Sequence, residues 1–147
     1  MKVRRSLAAA GAAVVLGTTG ALALPALASA NTATHTLKFI SVQKASVGFG
    51  KTAGANQDTD VNAAGKTVGF DMIYFTATSA TGGTINVTVD TSGGFLYGTG
   101  TINFKTSVFS NGKVTGGTGS FKGATGTITA KNLNKAGTRT AVTITYS

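Results

Sequence analysis

Beyond residue 30 the chain keeps a two-residue rhythm. Residues 84–90 put Ile85, Val87 and Val89 on one face, and residues 96–104 put Leu96, Gly98, Gly100, Ile102 and Phe104 on one face against Thr99, Thr101, Asn103 and Lys105. Ala124, Gly126, Ile128 and Ala130 oppose Thr125, Thr127, Thr129 and Lys131, and near the C-terminus Val142, Ile144 and Tyr146 oppose Ala141, Thr143 and Thr145. Side chains alternate across a β-strand, so this rhythm predicts strands with one buried face. No window sustains the 3.6-residue period of a helix. Turn signals separate the runs: Thr81-Gly82-Gly83, Ser92-Gly93-Gly94, Asn111-Gly112 and Lys135-Ala136-Gly137. Asn111-Gly112 predicts a short hairpin, because both residues tolerate positive φ. Strands this close in sequence form a meander. With one apolar face each and no helix to cover it, they predict an all-β, closed antiparallel barrel. Residues 43–66 are polar and poorly periodic, and read as a long loop with at most one short strand, placed to cover a barrel mouth.

The first 30 residues have a different character. Met1-Lys2-Val3-Arg4-Arg5 is basic, residues 7–24 carry no charge, and Ala28-Ser29-Ala30 is a small-x-small ending. That order predicts a cleaved secretory signal, and hence a secreted protein with no stable membrane insertion after cleavage. Arg4-Arg5 leaves the general and twin-arginine routes both open. Residues 31–147 then make one domain. The chain has no cysteine, so no disulfide framework supports it and stability rests on packing and closure of the sheet.

Charge and chemistry-bearing residues narrow the function classes. The formal net charge is +9, part of it in the leader, and the lysines are scattered rather than gathered into a stripe with aromatics, which argues against nucleic-acid binding. The run 114–121 imitates a dinucleotide-binding turn, but Lys122 holds the slot of the third glycine and a strand pattern follows. Gly50-Lys51-Thr52 and Gly65-Lys66-Thr67 lack the earlier glycine of a phosphate loop. One histidine, His35, and no cysteine make no zinc set, so no metal or cofactor is expected. Asp58-x-Asp60 could touch calcium, though a solvated loop is the simpler expectation. Asn86-Val87-Thr88 is a glycosylation sequon within a strand.

Candidate site residues follow from the inward faces. Asp71 shares a face with Ile73 and Phe75, which would set a carboxylate against an apolar wall and raise its pKa. The opposite phase turns Phe70, Met72 and Tyr74 inward and offers the Tyr74 hydroxyl instead; the pattern allows both. Ile102 and Phe104 join the inward face as ligand contacts, Tyr146 supplies an inward hydroxyl near the barrel end, and His35 shares a face with Leu37 and Phe39 and is placed at the mouth.

The run Gly116-Gly117-Thr118-Gly119-Ser120-Phe121-Lys122-Gly123-Ala124-Thr125-Gly126, with Thr99-Gly100-Thr101-Ile102 before it and Gly65-Lys66-Thr67-Val68-Gly69 upstream, resembles the allene-oxide-cyclase-like and dirigent-like barrels, in particular their small secreted bacterial members. The resemblance spans residues 58–147. It implies a calycin-like barrel of eight strands, commonly trimeric, with an internal pocket for a small apolar metabolite. Plant members cyclise an unstable epoxide or steer radical coupling by fixing one conformer. The cyclases' glutamate and cysteine are both missing here, and Phe70 stands where dirigent proteins carry arginine. Their acidic residues correspond loosely to Asp58, Asp60 or Asp71. Two functions follow: an isomerase-, cyclase- or dirigent-like ligand-steering barrel, or a secreted structural or surface-binding protein with a packed interior.

Overall fold

The computed structural model of the chain describes residues 33–147. The leader peptide expected over residues 1–30 lies outside them. Eight antiparallel strands follow one another in chain order and close on themselves: β1 (His35–Phe49), β2 (Ala53–Val61), β3 (Thr67–Ser79), β4 (Gly82–Thr91), β5 (Gly94–Asn103), β6 (Val108–Gly117), β7 (Gly126–Asn132) and β8 (Arg139–Tyr146). Closure comes from β1, which pairs with β2 along one edge and β8 along the other. The barrel therefore has no free edge. Its shortest seam is β6–β7, three residue pairs from Gly112↔Ile128 to Val114↔Gly126. Thr is the commonest strand residue, and with Val and Ile it supplies branched side chains that suit a pleated, half-buried surface.

The expected loop at 43–66 is instead most of two strands. β1 runs to Phe49 and β2 starts at Ala53. The irregularity that hid them is a register shift between Gln43 and Ala45. Phe39, Ser41 and Gln43 face inward before it and Ser46 after it, while Val47 and Phe49 turn outward. An extra residue in one strand reverses the phase of everything beyond it. Asn111-Gly112 is corrected for a related reason. It lies inside β6, with Asn111 at φ 55, opposite a register break between Thr99 and Thr101. It is a bulge, tied by the Asn111 amide to the Thr101 hydroxyl. The turn joining β5 to β6 comes earlier, at residues 104–107, with Ser107 at φ 53.

The barrel is packed at one end and hollow at the other. At the end where β1 and β5 begin and β6 and β8 finish, Val89, Leu96, Val114, Phe121, Ala124 and Ile144 form a continuous core. The glycine run supplies its plug. After β6 the chain makes a 3-10 turn, Gly119–Phe121, that turns the Phe121 ring into the barrel. Gly119 has φ 56, and a side chain there would strike the Gly93 carbonyl. Among the described residues no helix is long and apolar enough to cross a membrane.

Candidate functional site

The site is assembled by three neighbouring strands. β2 alternates Asn56, Asp58 and Asp60 onto its inner face. β3 places Asp71 directly beside Asp58, and β1 places Ser41 directly beside Asp60. Three of the chain's four acidic residues thus meet inside the barrel, at 6%, 1% and 4% exposure for Asp58, Asp60 and Asp71. Asp60 sits deepest, opposite Gly69. A methyl group at Gly69 would run into the Asp90 carbonyl of β4, so glycine permits the close approach of the neighbouring strand at this level.

Hydrogen bonding within the cluster is incomplete. The Ser41 hydroxyl donates to Asp58 Oδ2 at 2.7 Å. Asp58 Oδ1, Asp71 Oδ1 and both oxygens of Asp60 are buried with no hydroxyl or N–H donor in reach. The carboxyls of Asp60 and Asp71 are close enough to share a proton. Burial, the negative charge of Asp71 and the hydrogen bond to it push Asp60 up to about 9, so it keeps the proton and donates it to Asp71. Burial also raises Asp71, to about 6, against the opposing pull of that hydrogen bond. Asp58 is raised by burial and eased back by Ser41. At neutral pH the cluster thus holds a neutral carboxylic acid beside at least one buried carboxylate, an arrangement that can both donate and accept a proton. Among the described residues no three His, Cys or acidic side chains are disposed to hold one metal ion.

Asp58, Asp71 and Ser41 form one wall of a cavity of about 420 Å³ that fills the hollow half of the barrel. This lies in the usual range for small-molecule sites. Ile73, Phe75, Ile85, Val87, Ile102, Phe104, Phe109 and Val142 make the rest mostly apolar, with Gln43, Ser46, Asn56 and Asn132 as polar interruptions. The cavity reaches the exposed turn residues Ser107 and Ala136, which marks the open end. There the rings of Phe75 and Phe104 meet edge to face at 6.4 Å and also border a shallow outer depression containing Lys51 and Ser79.

Of the residues singled out in the sequence, Asp71, Ile73, Phe75, Ile102 and Phe104 come together on this cavity. Tyr74 does not. It faces outward at 42% exposure, because the phase that buries Asp71 must expose it. His35 and Tyr146 are cross-strand partners stacked at 5.4 Å, and Tyr146 meets Phe121 edge-on. That places both at the plugged end, away from the cavity, and corrects the expectation of His35 at the mouth. Asp58 and Asp60, expected in a solvated loop, are the most consequential omission, with Ser41. The available signal was their i, i+2 spacing, but a polar inner face carries no hydrophobic alternation. No protein-family model matches the chain, and no curated protein is significantly similar to it in sequence.

Proposed function

We propose that this protein is a secreted, cofactor-independent barrel that takes up one small, mostly apolar metabolite and holds it in a single conformer. The aspartate cluster is its polar contact and proton relay, as in an isomerase-, cyclase- or dirigent-like reaction. The observation that carries this reading is the juxtaposition of a mostly apolar, one-ended cavity with three buried carboxyls, two of which line it. Burying charge without a partner is expensive. A protein whose barrel served only as a support would gain stability by filling that interior with aliphatic side chains. Native mass spectrometry of the protein from its own culture medium tests the reading directly. We expect a co-purifying small molecule, and we expect Asp71→Ala to fold normally and lose it, with any turnover falling by at least about 100-fold, the usual contribution of a positioned acid or base. An empty wild-type barrel that also refuses small apolar probes would overturn the reading.

The implied homo-oligomer has a corresponding surface. Val47, Phe49, Phe70, Met72 and Tyr74 are each 42–58% exposed on the outer face of β1 and β3, with the Phe49 and Tyr74 rings 6.1 Å apart. We propose that a second and third copy of this chain cover it. Sedimentation should give a trimer for the wild type and a monomer for the Phe70→Lys, Met72→Lys double variant. A wild-type monomer at micromolar concentration would refute this.

A further inference from the structure

We propose that the ligand's polar end is a protonated amine, a primary or secondary ammonium carried on an apolar body, and that it binds between Asp58 and Asp71. This deepens the ligand-holding reading above and rests on it.

The argument starts from what the wall lacks. Asp58 Oδ1 and Asp71 Oδ1 belong to side chains more than nine-tenths buried that line the cavity, and among the described residues neither oxygen receives a hydroxyl or N–H hydrogen bond, the Asp71 carboxyl having only the proton shared with Asp60. The one hydroxyl beside them, Ser41, already donates to Asp58 Oδ2. Among the described residues no lysine, arginine or histidine lines the cavity. The ligand must therefore bring the donors. An anionic head group would meet carboxylates with no counter-charge and is rejected. A neutral hydroxyl brings one hydrogen for two waiting acceptors. An ammonium brings two or three, and Asp58 and Asp71 are direct cross-strand partners, a spacing of roughly 5 Å between Cβ atoms that one nitrogen can bridge. It also supplies the missing positive charge.

The groups facing Asp71 are few. From β2 they are Asp58 and Asp60, from β1 Ser41; β4 turns only Ile85, Val87 and Val89 inward. Its ionisation is thus governed by the cluster itself. With Asp71 titrating at about 6, the carboxylate that receives the ammonium is present above that pH and lost below it.

Three probes of one shape separate the possibilities: phenethylamine, phenethyl alcohol and phenylacetate, each titrated calorimetrically into the purified protein at about pH 7.5, above the Asp71 value. We expect the amine to bind at least about tenfold tighter than the alcohol and phenylacetate not to bind, a gap that one charge-assisted contact supplies. Amine affinity should drop about tenfold on going to about pH 5 as Asp71 takes up a proton, while alcohol affinity holds. Asp71→Asn, and independently Asp58→Asn should the first variant misfold, should erase the amine's advantage without weakening the alcohol. Alcohol or phenylacetate binding as tightly as the amine would overturn the ammonium assignment and leave the ligand-holding reading intact. Failure of all three probes to bind would overturn both.

Discussion

The protein is expected to lose stability as the pH rises from about 5 to about 9, the reverse of a domain whose carboxylates are paired with cations. Three aspartates have folded-state pKa values above the ordinary 3.8, with Asp71 at about 6 and Asp60 at about 9. When a folded pKa is raised, the native state binds more protons than the unfolded chain throughout the interval between the two values. Stability is then complete below the unfolded pKa and is lost as the pH climbs through the folded ones. The loss is therefore largest from about 5 to 9, where the Asp71 proton leaves before that of Asp60. One pKa unit is worth about 1.4 kcal/mol, so the raised Asp60 makes this a loss on the order of a few kcal/mol. Urea midpoints across this range would measure it. Asp60→Asn should flatten the profile above about pH 7, because its amide can donate to Asp71 at every pH and carries no proton to lose. A wild-type profile that rises toward pH 9 would mean that the three carboxyls do not interact as described.

Phe121→Ala is expected to cost about 3–5 kcal/mol, the usual penalty for emptying a large aromatic site in a core. Its ring is 4% exposed, meets Tyr146 edge-on and backs onto Gly93 and Gly117, which offer no side chain on that side to fill the void. The expected signature is more specific than lost stability. Removing the plug should loosen the packed end around Val89, Leu96 and Ile144 and speed release of a probe bound in the cavity, while Asp71 and its neighbours on β2 and β3 stay in place. Chemical denaturation gives the first effect and stopped-flow release of a bound probe the second. A variant with wild-type stability would show that the ring does not hold the end closed.

How far the sequence spoke depended on which side of each strand was apolar. β4, β5 and β8 were legible because Ile85, Val87 and Val89, then Leu96 and Ile102, then Val142 and Ile144 mark the inside with hydrocarbon. On β1 and β2 the inside is marked by Ser41, Gln43, Ser46, Asn56, Asp58 and Asp60. A pattern rule that equates polar with exposed must misread them, and the phase change near Lys44 scrambles what periodicity remains. The site was hidden for the reason that makes it a site: polar groups occupy positions where packing alone would have put aliphatic ones. Asp71 was within reach only because Ile73 and Phe75 follow it on the same face. His35 was given the right face and the wrong end, and Tyr146 an end without saying which, since alternation reports inside against outside and says nothing about height along the barrel axis. Asn111-Gly112 carried the backbone freedom its residues advertise, spent on a bulge, because pairing partners rather than dipeptides decide where a chain reverses.

A chamber with a single doorway imposes traffic rules. Whatever enters at the open end, bordered by Ser107, Ala136, Phe75 and Phe104, leaves by the same end, so one occupant excludes the next until it departs. Two small molecules that fit should therefore exclude one another, and substitutions at the Phe75 and Phe104 rings should change how long an occupant dwells more than how tightly the carboxyls grip it.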